Sequence, residues 1–133
     1  MTKFPFNKKQ RSKVEIEKIT SEIIEIAEFC NCWYNKDNGN ELSERITVLN
    51  TYLARSAVLQ TEAQFIYDNS LAKETEKLMG HEELSATTIK NLVTGRTSTE
   101  KKMLLLCERI NRTLVHQIDS LRSQLSYLKS FNN

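Results

Sequence analysis

Apolar residues recur along this chain at alternating intervals of three and four positions. Such spacing places side chains on one face of an α-helix. Three stretches show it, and the last of them is the most regular. The rows run through Ile16, Ile19, Ile23, Ile26, Cys30 and Trp33; through Ile46, Leu49, Leu53, Ser56, Gln60, Ala63 and Tyr67; and through Leu114, Ile118, Leu121, Leu125 and Leu128. The pattern predicts an all-α fold, an elongated hairpin or bundle of three long helices and one short helix.

Helix-capping residues set the predicted boundaries of the first two helices. Ser12, with Glu15 three positions on, has the spacing of a capping box and predicts a first helix from there to about Lys36. Gly39 is then expected to take a left-handed cap. The second helix is predicted to begin at Ser43 or at a residue just before it and to continue to Met79, either without interruption or with a break near Asp68–Ser70.

Two further helices are expected after Gly80. Ser85 is the predicted N-cap of a short helix over Ala86–Thr94, and Thr97 with Glu100 has capping-box spacing at the start of a last helix that ends near Phe131. Residues 1–11 are interpreted as a flexible basic arm and residues 12–133 as one helical domain.

The regular row of the last helix is typical of a coiled-coil seam. An elongated helical monomer with continuous apolar stripes commonly buries them by self-association. The sequence therefore predicts a homo-oligomer whose interface is formed by Leu114, Ile118, Leu121, Leu125 and Leu128.

Composition narrows the function classes. The chain has 133 residues, with only 3 Gly and 1 Pro, too few to form the turns of most β folds. Cys30, Cys32 and Cys107 are irregularly spaced, which favours small apolar packing residues over a disulfide framework or a metal site. No phosphate-binding loop, nucleophile elbow or zinc-binding helix motif is present. We therefore expect no enzyme, no cofactor, no membrane span and a cytoplasmic location.

Charge is strongly segregated along the chain. Residues 1–13 and 85–133 each carry an excess of five basic groups, whereas residues 14–84 carry an excess of eight acidic groups. Basic side chains near hydroxyl residues and a helix start suit phosphate groups. The predicted nucleic-acid-binding residues are Lys90, Arg96, Lys101, Lys102, Arg109, Arg112 and Arg122. Four aromatic residues are weaker candidates for stacking on bases: Trp33, Tyr52, Tyr67 and Tyr127.

The C-terminal two-thirds resembles small all-helical proteins of tailed phages. The resemblance rests on Ile89-Lys90-Asn91-Leu92-Val93, the Gly-Arg-Thr turn that follows, and the long helix containing Arg109-Ile110-Asn111-Arg112 and the segment His116–Lys129. In length and layout the chain is similar to UvsY-type recombination mediators of T-even phages. That resemblance implies a homo-oligomer that binds single-stranded DNA, helps to load a recombinase and displaces a single-strand-binding protein.

Two other interpretations stay open. A phage virion or assembly protein would use the same helix seams and pair the oppositely charged regions between subunits. A small inhibitor or adaptor would instead present the acidic faces of the first two helices to a host protein, in imitation of nucleic acid.

Overall fold

Four α-helices account for most of residues 8–131, the part of the chain that this computed structural model describes; side chains are described from Ser12 onward. The helices are α1 (Lys8–Asn31), α2 (Gly39–Met79), α3 (Ala86–Arg96) and α4 (Ser98–Phe131). No strand occurs within these residues. The predicted all-α fold, with three long helices and one short helix, is confirmed.

The longest helix, α2, is the central element of the bundle, because α1 and α4 both pack against it in the antiparallel direction. Asn111 Nδ2 of α4 donates to Ser56 Oγ of α2 at 3.0 Å. Lys101, ten residues earlier on α4, lies over the ring of Tyr67, eleven residues later on α2. Arg55 of α2 pairs with Glu22 of α1. Contacts between α1 and α4 complete a three-helix core, and α3 packs on the C-terminal part of α2.

The core lies along the axis of this bundle. Burying one aliphatic side chain contributes about 1.5–3 kcal/mol to stability. The core consists of Ile19, Ile23, Ile26, Cys30, Leu42, Leu49, Leu59, Ala63, Met103, Leu104, Cys107, Leu114, Ile118 and Leu121.

The regular row of α4 lies inside this core rather than on the outside of the molecule. Leu114, Ile118 and Leu121 are buried, and Leu125 and Leu128 are half-buried against the same core. The residues predicted to contact a second subunit pack within the same molecule instead, because the 41-residue α2 is long enough for α4 to pack along it. Leu114, Ile118 and Leu121 are therefore not accessible to a second subunit in this fold, whereas Leu125 and Leu128 remain partly exposed.

The first helix begins and ends earlier than its capping signals predict. Ser12 lies inside α1, which starts at Lys8, and the helix ends at Asn31 instead of Lys36. Residues 1–7 of the predicted arm lie outside the described residues. Asn38 caps α2 instead, since its side chain accepts from the Glu41 N–H at 3.1 Å. Gly39 belongs to the first turn of α2 and takes no left-handed conformation.

The later boundaries agree better with the sequence. Ser85 is the N-cap of α3, and α2 ends at Met79 as predicted, but α2 continues through Asp68–Ser70 without a break. Thr97 does not form a capping box, because its buried hydroxyl donates to the Val93 carbonyl at 2.8 Å. It is the single residue between α3 and α4, and its backbone N–H donates to the Val93 carbonyl at 3.0 Å.

Candidate nucleic-acid interface

The outward face of the first half of α4 is basic. Every exposed charged side chain between Ser98 and His116 is a lysine or an arginine. We call this set, which consists of Lys101, Lys102, Arg109 and Arg112, the α4 basic face. At 1.5 Å per residue its ends are roughly 16 Å apart along the helix axis. Arg109 and Arg112 are one turn apart and point the same way.

The charges of the α4 basic face are directed at solvent. Among the side chains described from residue 12 to 131, no carboxylate lies within ion-pair distance of Lys102, Arg109 or Arg112. Lys101 Nζ lies 5.0 Å from the centroid of the Tyr67 ring, so the aromatic face holds this ammonium group in place. The face can therefore meet an external anion without first breaking an internal ion pair.

The other three predicted binding residues lie elsewhere. Lys90 and Arg96 are on α3, and Arg96 Nη1 lies 3.4 Å from Glu74 Oε2 on α2. Hydrogen bonds from Lys77 and then from Arg96 hold the pKa of Glu74 below its ordinary value. Arg122 is eleven residues beyond Asn111, which contacts α2, so it lies on the flank of α4 next to α2. The structure thus brings together four of the seven residues.

The acidic residues of the first half of the chain form a separate surface. Glu17, Glu25 and Glu28 are exposed on the outward side of α1, around Ile24, which is 45% exposed. The charge segregation seen along the sequence therefore becomes a segregation between outward faces of the bundle. The acidic surface of α1 and the α4 basic face belong to different helices.

The aromatic candidates for base stacking do not join the α4 basic face. Tyr52 packs on Phe29 with ring centroids 5.2 Å apart, and Tyr67 lies beneath Lys101. Trp33 and Tyr127 lie at the opposite end of the bundle from Lys101, and Trp33 is 85% exposed. Gln124 Nε2 donates to the Lys36 carbonyl at 3.1 Å and fixes the α1–α2 loop beside the end of α4.

One residue with a clear structural task was not recognised from the sequence. Arg45 is buried, and its Nη2 donates to the carbonyls of Phe29 at 2.8 Å and Cys30 at 3.4 Å. Its guanidinium also lies 4.6 Å from the Phe29 ring centroid and 4.3 Å from that of Tyr34. Arg45 thereby caps the C-terminus of α1, where a cation is favoured. The sequence feature that could have revealed this buried arginine is its position in the apolar row between Leu42 and Leu49.

The three cysteines differ sharply in accessibility. Cys32 is exposed, whereas Cys30 and Cys107 are buried and all three are free thiols. Burial raises the pKa of Cys30 and raises that of Cys107 to about 11. No group of three or more His, Cys, Asp or Glu side chains suited to a metal ion occurs in the described part of the chain. None of the described helices is long and apolar enough to cross a membrane.

We expect a thiol reagent to modify the exposed Cys32 rapidly in the folded protein. It should reach Cys30 and Cys107 only on unfolding, because burial blocks access to these two thiols and disfavours the thiolate, which is the reactive form. Mass spectrometry after maleimide treatment should find one label in buffer and three in denaturant. Two labels on the native protein would contradict the assigned burial.

The folded state also keeps the Cys107 proton up to about pH 11, whereas the ordinary thiol pKa is 9.0. The free energy of unfolding should therefore fall as the pH rises through this interval, and less so in a Cys107→Val variant.

No family model, curated protein or solved structure matches this chain.

Proposed function

We propose that this protein is a non-catalytic, self-associating helical protein that binds single-stranded DNA through the phosphate backbone. The observation that carries the proposal is the α4 basic face, four exposed cations on one helix face with no exposed acid among them. Lysine and arginine attract phosphates irrespective of sequence, and binding of this kind releases counterions.

The arrangement supports binding to the backbone rather than readout of bases. A row of cations on the side of a helix, roughly 16 Å long, fits a few consecutive phosphates of one strand. Trp33 and Tyr127, the exposed residues among the candidates for base stacking, lie at the other end of the bundle. Four cations give modest affinity in one chain, so self-association would increase it by presenting several such faces to one strand.

The more specific part of the proposal is a role as a recombination mediator. It rests on the resemblance to UvsY-type proteins, which implies recombinase loading and displacement of a single-strand-binding protein in the cytoplasm of a phage-infected cell. A phage assembly protein and a host-directed inhibitor or adaptor are the alternatives. Both predict that the α4 basic face has no affinity for DNA.

The test is fluorescence anisotropy of a labelled oligothymidylate titrated with the protein at low and moderate salt. We expect an Arg109→Gln/Arg112→Gln variant to bind at least about tenfold more weakly at low salt. Because each contact to a single-stranded phosphate contributes about 0.7 to the slope of log K against log salt, removing two should lower that slope by about 1.4.

A matched control removes the same charge elsewhere. Lys18 and Lys36 are exposed and lie on α1 and in the α1–α2 loop, so a Lys18→Gln/Lys36→Gln variant should keep nearly the full affinity and slope. Equal losses in both variants would show that the α4 basic face is not the binding surface. If the wild-type protein fails to bind at low salt, the nucleic-acid proposal is wrong; a persistent oligomer would then favour assembly, and a monomer an inhibitor or adaptor.

A further inference from the structure

The outward side of α2 is an uncharged face that no helix of the described chain covers. Its residues follow one another at intervals of four, three, four, three and four positions, and all of them are exposed. Val58 is 48% exposed and Phe65 is 67% exposed, so the face includes two large apolar side chains in contact with water. We define the α2 outward face as Thr47, Thr51, Ala54, Val58, Thr61 and Phe65.

The threonine hydroxyls of this face are already hydrogen-bonded to the backbone of α2. The hydroxyls of Thr47, Thr51 and Thr61 donate to the backbone carbonyls four residues earlier, at 3.1, 3.2 and 3.0 Å. Their hydrogen-bond donors are therefore used within the helix. Covering this face would bury methyl groups and carry little of the cost of desolvating unpaired polar groups.

One edge of the α2 outward face carries charges of alternating sign. The four residues are Glu44, Arg55, Glu62 and Lys73, spaced by 11, 7 and 11 positions, and all are exposed. Both spacings are close to whole numbers of helical turns, which keeps the four on one line. Arg55 pairs with Glu22 of α1 at 2.6 Å, whereas the described side chains include no ion-pair partner for the other three.

This edge is complementary to itself when two copies lie antiparallel. A two-fold axis beside Val58 places Arg55 of one copy opposite the partner's Glu62, and Glu44 opposite the partner's Lys73. Each pairing occurs twice by symmetry, and each joins opposite charges. In a two-fold dimer the same surface of both subunits meets, so the surface must be complementary to itself. The acidic surface of α1 and the α4 basic face would each repel their own copies.

We propose that the α2 outward face is the homodimer interface, with the α2 helices of two copies packed antiparallel around Val58. Thr51 then lies against the partner's Phe65, and Val58 against the partner's Val58. The inference deepens the self-association that the proposed function includes, but it does not depend on nucleic-acid binding. It leaves the α4 basic face of each subunit free.

A charge placed on the two-fold axis tests the interface directly. Light scattering over a range of concentrations should find the wild-type protein at twice 15.4 kDa and a Val58→Glu variant at 15.4 kDa. Ile24→Glu is the matched control, because Ile24 has nearly the same exposure on α1 and the variant should remain dimeric. Far-ultraviolet circular dichroism should show both variants to be as helical as the wild type. Dimers in both variants, or a wild-type monomer at every concentration, would overturn the proposal.

The edge charges test the register. Glu44→Lys places two lysines opposite each other at both ends of the interface and should raise the dimer Kd several-fold. Adding Lys73→Glu restores opposite charges and should return the Kd close to the wild-type value. A double variant no better than the single one would refute the register.

Disulfide trapping separates antiparallel from parallel packing. In a Cys32→Ser background, which removes the exposed native thiol, Thr51→Cys alone should not cross-link under mild oxidation, whereas a mixture of Thr51→Cys and Phe65→Cys chains should. Self-cross-linking of Thr51→Cys would refute the antiparallel arrangement. Anisotropy on the same proteins reports DNA binding independently, so loss of the dimer and loss of DNA affinity are distinguished.

Discussion

Replacing Leu114 with alanine is expected to lower the free energy of unfolding by about 3–4 kcal/mol, because large-to-small changes at fully buried sites lose transfer free energy and leave a cavity. Leu114 is completely buried in the three-helix core. Urea denaturation followed by far-ultraviolet circular dichroism measures the change.

Val115 is the neighbouring control. It is 40% exposed, so Val115→Ala should cost less than about 1 kcal/mol. The comparison also tests the role of the α4 apolar row. If Leu114→Ala dissociated an oligomer while leaving the free energy of unfolding of the monomer unchanged, the row would join subunits and the intramolecular packing would be wrong.

Replacing Arg45 with methionine is expected to destabilise the protein by about 2–3 kcal/mol. Methionine keeps the length of the side chain but cannot donate to the Phe29 and Cys30 carbonyls. Hydrogen bonds to charged groups contribute about 1.5–3 kcal/mol, and the stacking on Phe29 and Tyr34 would be lost as well. Chemical denaturation measures the difference.

An exposed arginine of the same helix gives the comparison. Arg55→Met removes a surface ion pair with Glu22 and, at concentrations where the protein is monomeric, should cost no more than about 1 kcal/mol. Arg45→Lys should recover only part of the loss, since an ammonium group lacks the planar surface that lies between two rings. Wild-type stability in Arg45→Lys would mean that charge alone, and not the stacked guanidinium, holds the end of α1.

The sequence predicts the helices well because their apolar rows are long and regular. It predicts the end of α2 at Met79 and the Ser85 cap, but the equally local capping-box spacings at Ser12 and Thr97 form no capping box. The same rows show that a face is buried without showing what covers it. That is why the row from Leu114 to Leu128 is predicted to face a second subunit, although α1 and α2 cover most of it within the chain.

Part of the candidate site could also be predicted from the sequence. Lys102 and Arg109 are seven positions apart, and Arg112 follows one turn later, so helical geometry alone places them together. Arg96 is different, because its partner Glu74 is 22 positions away and is found only when α3 packs on α2. Arg45 was missed for a similar reason, since the carbonyls that it binds belong to another helix.

The exposed position of Trp33 determines what fluorescence can report. It is the only tryptophan of the chain, and 85% of its surface is already in water in the folded protein. Unfolding therefore changes the surroundings of the indole little, and the fluorescence emission of Trp33 reports on the α1–α2 loop rather than on the core. The same property makes it a built-in probe, because a ligand or protein that covers this end of the bundle would transfer the indole into a drier environment and shift its emission to shorter wavelength.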